Sequence, residues 1–140
     1  VIPRFQLYLF DVDGTLLDSA PDICWAMRSA LEAEGVRDLT ETYLRTFIGY
    51  HLRDLFLDAL PHYGEEQIQA MIAHYRRVYP ARGHIGTKVY AGVREMLAAL
   101  PGQKSTATTK ATETASAMLR QFELIDRFDR VQGTDGFPSK

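Results

Sequence analysis

The chain has 140 residues, 46% of them apolar, which is enough for one modest hydrophobic core and too apolar for a disordered segment. A formal net charge of -2 leaves no basic field of the kind that holds a nucleic-acid backbone or an anionic membrane, so a small-molecule partner is expected. The single cysteine, Cys24, excludes an internal disulfide, no Cys/His cluster has zinc spacing, no apolar run approaches the ~20 residues that span a bilayer, and no leader-like amino terminus is evident; a cytoplasmic protein is the expectation.

Phe5, Leu7 and Leu9, with Tyr8 and Phe10 between them, form a short aromatic-rich run that stops at Asp11 and reads as a buried strand, apolar on both faces. From Pro21 to Ala33 the period becomes helical, with Ile23, Met27, Ala30 and Leu31 on one face, Pro21 near the start and Gly35 past the end. A short helix is expected from Glu41 to Phe47, stopping at Gly49. Two more follow: Leu52, Leu55, Phe56, Ala59 and Leu60 recur at three- and four-residue steps before Pro61, and Ile68, Met71, Ile72, Tyr75 and Val78 do so before Pro80. Cys24 reads as a packed helix residue, and Trp25, Tyr43, Tyr75 and Tyr79 as packing among these helices, since no basic stripe accompanies them. The histidines, His51, His62, His74 and His84, lack helical metal-pair spacing and read as surface or cap residues.

Val93, Met96, Leu97 and Leu100 mark a further helix, ended by Pro101 and Gly102. Lys104 to Thr108 fits a strand, although Ser105 and Thr106 are polar for a buried one. Ala115, Met118, Leu119 and Phe122 give a helix, and Phe128 to Gly133 a third short strand. Alternating strands and helices imply an α/β fold with a parallel sheet. The first connection is far longer than a crossover needs, so residues 18–82 read as an inserted helical subdomain, with 1–17 and 83–140 as the core.

Asp11-Val12-Asp13-Gly14-Thr15 lies where the first strand ends, and in open α/β sheets ligands gather outside the carboxyl ends of the strands. Residues two apart on an extended chain point the same way, so Asp11 and Asp13 can face one bound group while Val12 turns to the core. Gly14 permits a sharp turn. Two neighbouring carboxylates repel unless one is protonated or a cation intervenes, and one ionised with one protonated carboxyl suits a nucleophile paired with a general acid. A calcium loop counted from Asp11 fails, because its sixth position requires glycine and this chain has Leu16. A solvated turn after a strand is the other account of the five residues alone.

The longer run from Phe10 through Asp11-Val12-Asp13-Gly14-Thr15-Leu16-Leu17-Asp18-Ser19 resembles the first motif of the haloacid dehalogenase-like hydrolases, and Ala20-Pro21-Asp22-Ile23 resembles the phosphoglycolate phosphatase branch. Phe47-Ile48-Gly49-Tyr50-His51-Leu52-Arg53 and Tyr90-Ala91-Gly92-Val93 extend the likeness along the chain. The resemblance implies a Rossmann-like core with an inserted, mobile helical cap, and a magnesium-dependent phosphatase acting on a small phosphorylated metabolite such as 2-phosphoglycolate. It implies that Asp11 attacks phosphorus and that Asp13 protonates the leaving oxygen and later activates water. Thr108, in Ala107-Thr108-Thr109-Lys110, resembles the second-motif hydroxyl that binds the phosphoryl group, with Thr109 where asparagine is common. Lys140, in Gly136-Phe137-Pro138-Ser139-Lys140, resembles the third-motif lysine. Catalytic roles are thus expected at Asp11, Asp13, Thr108 and Lys140, substrate contacts at Gly14, Thr15, Thr109, Lys110, Gly49 and Arg53, and magnesium ligation at Asp11 and Asp13; Arg53 could equally be a solvated helix residue. Positioning and charge stabilisation account for most of phosphoryl-transfer catalysis, which is the physical sense of this set.

Members of that family continue into another strand with an acidic pair that completes the magnesium site, and Asp135 cannot replace it by order and reads as a turn residue. Residues 1–140 are therefore expected to be part of a longer protein or to be completed by a partner chain, to bind magnesium poorly, and to leave the first strand with an uncovered edge and apolar face. The second aspartate argues against a dehalogenase. A sugar phosphomutase and a non-catalytic phosphate-binding or regulatory module are the alternatives.

Overall fold

In chain order the elements are β1 (Leu7–Phe10), β2 (Leu17–Asp18), α1 (Ala20–Ala33), α2 (Glu41–Arg45), α3 (Leu52–Ala59), α4 (Glu65–Ala81), β3 (Lys88–Val89), α5 (Val93–Ala99), β4 (Gln103–Thr106) and α6 (Thr112–Gln121), with a 3-10 turn at Ile125–Arg127. They come from a computed structural model that describes residues 3–135. The fold is α/β, and it divides into two units: the described residues through Asp18 together with those from Lys88 on, and Ser19–Thr87.

In the first unit β1 lies parallel to β4, in register from Leu7 opposite Gln103 to Phe10 opposite Thr106. Ala107 N–H donates to the Phe10 carbonyl at 2.7 Å, so the two segments leave the sheet together at their carboxyl ends. Lys104, Ser105 and Thr106 of β4 are buried, and their side chains have partners. Lys104 Nζ donates to the carbonyls of Leu100 and Gly102 at 2.7 and 3.0 Å, closing the end of α5. Thr106 Oγ1 both accepts from Gln132 N–H and donates to the Gln132 carbonyl.

That side-chain exchange explains a departure from expectation. Phe128 to Gly133 does not form a third strand; it makes a single parallel bridge, Arg130 to Ser105. The Asp129 carboxylate takes the Lys104 N–H and the Thr106 hydroxyl takes both backbone groups of Gln132, so side chains occupy places a ladder would use. The two-residue pair β2–β3, antiparallel with Leu17 opposite Val89, has too little sequence to carry a period and was not expected. Val12, Leu16, Leu97, Met118 and Leu119 form the buried core of this unit.

β1 is a strand, but it is not buried on both faces. Leu7 and Leu9 are 51% and 62% exposed, and they border a groove of about 590 Å³ that continues along β4 to Gln132. Among the described residues β1 pairs with β4 alone. An exposed apolar edge is a template for pairing with another chain. Leu9→Lys is expected to reduce light scattering of concentrated solutions while changing stability by no more than about 0.5 kcal/mol, as measured by urea unfolding; unchanged scattering would show that this edge does not drive self-association.

In the second unit the three- and four-residue spacing is realised as packing: Ile23, Met27 and Leu31 of α1, Leu55 and Phe56 of α3, and Ile68, Met71 and Ile72 of α4 are buried, as is Cys24. Thr40 caps α2 by accepting from Tyr43 N–H, and α2 gives way to turns after Arg45, not after Phe47. α4 does not stop before Pro80 but runs through it to Ala81. In the last turn the missing proline N–H forfeits one bond, while Arg82 N–H still reaches the Val78 carbonyl at 3.1 Å and Tyr79 stays buried. His84 is buried against the edge of Tyr79 and is not a surface residue.

The start of α1 is tied to the segment after α4 by Asp22. Its carboxylate, fully buried, accepts from Arg82 Nε at 2.6 Å, Thr87 Oγ1 at 2.6 Å and Gly86 N–H at 3.0 Å, and the Arg82 guanidinium lies 4.5 Å from the centre of the Trp25 ring. No described helix is long and apolar enough to cross a membrane.

Candidate active site

The parallel register of β1 and β4 decides which residues can meet. Asp11 follows β1 and Thr108 follows β4 by two residues, so both emerge at the same end of the sheet. After Asp11 the chain folds back over one carbonyl: the N–H groups of Thr15, Leu16 and Leu17 all converge on Val12 O at 3.0 to 3.3 Å. Val12 itself is fully buried, as the alternation of the segment requires. Gly14 adopts φ +74°, a left-handed conformation that side-chain-bearing residues rarely take, and its N–H closes the turn on Leu17 O at 2.9 Å. Gly14 and Thr15 are exposed at this turn.

Asp11 Oδ1 accepts from Val12 N–H at 2.8 Å, which fixes the side-chain rotamer of the expected nucleophile. Asp13 Oδ2 lies 3.2 Å from Lys110 Nζ, with the two side chains 10% and 9% exposed. Asp13, Lys110 and the turn that carries them are thus brought together. Thr108 is buried, and its hydroxyl accepts from Lys110 N–H at 3.2 Å, tightening the bend between β4 and α6.

That bend is held from a third segment. Thr134 N–H donates to the Lys110 carbonyl at 3.0 Å and Thr134 Oγ1 to the Thr109 carbonyl at 3.2 Å. Gly133 N–H donates to Thr112 Oγ1 at 3.0 Å, and Asp135 Oδ1 accepts from Thr112 N–H at 2.6 Å. The Thr112 amide holds the Asp135 carboxyl below its ordinary value. Gly133 has no room for a side chain, because a Cβ would collide with Thr112 N and the Lys110 carbonyl. Gly133, Thr134 and Asp135 therefore shape the loop that bears Thr108 and Lys110, and Asp135 is more than a turn residue. No spacing in the sequence marks this contact, because Lys110 and Thr112 lie more than twenty residues earlier.

Gly49 and Arg53 belong to the second unit. Gly49 sits in a turn at φ +92°, and Arg53 pairs on the surface with Glu65 at 2.8 Å. Lys140 lies outside the described residues.

Asp11 and Asp13 supply hard oxygen donors of the kind magnesium takes, so the donor chemistry fits that ion. The number is short, since among the described residues no group of three or more His, Cys, Asp or Glu side chains is placed to hold a metal.

The family model described as haloacid dehalogenase-like hydrolase matches residues 8–140. A phosphoglycolate phosphatase of Nitrosospira multiformis is 32% identical, over 94% of this chain and 62% of its own length. The tyrosine-protein kinase PtkA of Mycobacterium tuberculosis is 37% identical, over 94% of this chain and 46% of its own. The crystal structure of a predicted phosphatase from Clostridium acetobutylicum superposes with a TM-score of 0.85 at 30% identity, covering 94% of this chain and 62% of that one. The chain thus spans less than two thirds of the length of these relatives. The match takes in the Asp11–Thr15 turn, β4 and the Thr108–Lys110 bend that the fold brings to one sheet end, and the chain belongs to the haloacid dehalogenase-like hydrolase family.

Proposed function

We propose that this chain carries the reacting groups of a phosphatase that hydrolyses a small phosphate monoester, with 2-phosphoglycolate the leading candidate, through an aspartyl-phosphate on Asp11. The observation that carries the reading is the shared sheet end: the register of β1 with β4 sets Asp11 and Thr108 at neighbouring strand exits, with Asp13 and Lys110 paired beside them. The substrate follows the name of the Nitrosospira relative.

In the first step an Asp11 carboxylate oxygen bonds to phosphorus as the bond to the ester oxygen breaks, and Asp13 gives its proton to that leaving oxygen. In the second, water bonds to phosphorus, Asp13 takes the water's proton, and the bond to Asp11 breaks to release phosphate. Thr108 contacts the phosphoryl oxygens, Gly14, Thr15 and Thr109 line the approach, and Lys140 is assigned by its motif the neutralising of phosphoryl charge. Magnesium supplies further neutralisation of that charge when bound, and Asp11 and Asp13 are the residues that would hold it. Ser19–Thr87 is assigned the role of the inserted cap, with Gly49 and Arg53 as its substrate contacts, and the protein is placed in the cytoplasm.

The test is chemical trapping. Acid quench of the full-length protein with a phosphoryl-radiolabelled phosphate ester and magnesium is expected to leave acid-stable, alkali-labile label on the peptide containing Asp11; label on any other residue would overturn the assignment.

A further inference from the structure

We infer that Lys110 is a positioning residue for Asp13, holding one oxygen of that carboxylate so that proton transfer occurs from a fixed orientation, and is not simply a contact for substrate. The inference rests on the aspartyl-phosphate reading above. What motivates it is how fully Lys110 is held. A lysine is a point charge on a flexible four-carbon stem, and most lysines leave that charge in water. Here the ammonium sits 3.2 Å from Asp13 Oδ2, and both side chains are about nine-tenths buried.

The backbone beneath the stem is fixed as well. Lys110 N–H donates to Thr108 Oγ1, the Lys110 carbonyl accepts from Thr134 N–H, and the side-chain-free surface of Gly133 packs against that carbonyl. A cation presented this way can restrain a carboxylate whose two oxygens would otherwise exchange by rotation about the Cβ–Cγ bond. For a group that must deliver a proton to a leaving oxygen and take one from water at the same place, a fixed carboxylate plane limits the geometries that do not react.

Restraint of Asp13 makes a different forecast from phosphate binding by Lys110. An alkyl leaving group departs as a poor alkoxide and needs the proton; p-nitrophenolate departs without one. Losing an orienting group for Asp13 therefore penalises formation of the aspartyl-phosphate from alkyl esters selectively, whereas losing a phosphoryl contact penalises that step for both classes equally.

Two measurements on the full-length protein that contains this chain decide the matter. The first follows the nitrogen-15 signal of the Lys110 ammonium by NMR: slow proton exchange with water is expected in the unsubstituted chain and fast exchange in Asp13→Asn, and equal exchange rates in the two would overturn the pairing. The second compares turnover of 2-phosphoglycolate and p-nitrophenyl phosphate, with magnesium, by the unsubstituted chain, Lys110→Met and Lys110→Arg. Lys110→Met is expected to lower kcat/KM, which reports formation of the aspartyl-phosphate and not its shared hydrolysis, at least about tenfold more on the alkyl ester than on the aryl ester, and Lys110→Arg to recover part of the difference. Equal losses of kcat/KM on both esters would overturn the positioning role and return Lys110 to phosphoryl binding. Absence of turnover on either ester by the unsubstituted full-length protein is a distinct result: it overturns the proposed function, and the positioning role with it, whatever the NMR signal shows.

Discussion

In the full-length protein, Asp11→Asn is expected to lower kcat by about a thousandfold or more, and to abolish the acid-stable phosphoryl label, while leaving the fold intact. The amide has nearly the shape of the carboxylate, and its oxygen can still accept from Val12 N–H, the bond that sets the rotamer in the native chain. What it cannot do is attack phosphorus as an anion. Residual turnover would then reflect only positioning by the surrounding groups, which nucleophile replacement leaves in place. The expected pattern is thus a large loss in kcat, little change in KM, and a urea midpoint within experimental error of the unsubstituted chain. Asp13→Asn supplies the contrast, since an amide there removes the proton donor but not the nucleophile: formation of the aspartyl-phosphate from p-nitrophenyl phosphate should survive better than from an alkyl ester. If Asp11→Asn turns over substrate at the native rate, no version of the aspartyl-phosphate reading survives.

The parts of this site that are legible from sequence are those whose chemistry is local. The abrupt change from an aromatic run to Asp-Val-Asp-Gly-Thr marks both a strand end and a turn, because alternation and the glycine requirement act within a few residues. The helices of the second unit are legible for the same reason, as their burial follows a repeat of three and four. What escapes is set by partners distant in the chain. Thr106 and Asp129 replace ladder bonds with side-chain bonds, so the Phe128–Gly133 pattern does not become a strand. A short apolar run alone cannot reveal the exposure of Leu7 and Leu9, which depends on the segments that flank β1; the resemblance does point to it, through the expected uncovered edge and apolar face of the first strand. Nor can spacing place Gly133, Thr134 and Asp135 against Lys110 and Thr112, more than twenty residues earlier. The resemblance also assigns chemistry to Asp11, Asp13 and Thr108, but it leaves open what holds them.

Asp22 is the plainest case of a long-range partner, and its removal is expected to have the largest effect on stability of any single substitution considered. Its carboxylate has no exposure and is met by Arg82, Thr87 and Gly86, residues 60 to 65 positions later. Burial alone would raise its pKa, but the hydrogen bonds from Thr87, Arg82 and Gly86 and the charge of Arg82 outweigh it and hold the carboxyl below its ordinary value of 3.8. Asp22→Ala leaves those donors facing a void and the guanidinium without its counter-ion. The cost expected by urea unfolding is about 3 kcal/mol, the lower end for a broken buried pair because Arg82 retains some access to water. Thr87→Val, which removes one charge-assisted bond, is expected to cost about 1.5 kcal/mol. The pH dependence has a definite sign. A carboxyl whose pKa is lower in the folded than in the unfolded chain contributes its stabilisation fully above the unfolded value, and loses it as pH falls from about 3.8 through the folded value. The unsubstituted chain should therefore lose stability on acidification through that window more steeply than Asp22→Asn, which has no proton to take up, and the two unfolding curves should converge as the pH drops. Parallel curves, or an Asp22→Ala chain within about 0.5 kcal/mol of the original, would mean that the tie between α1 and the segment after α4 contributes little in solution.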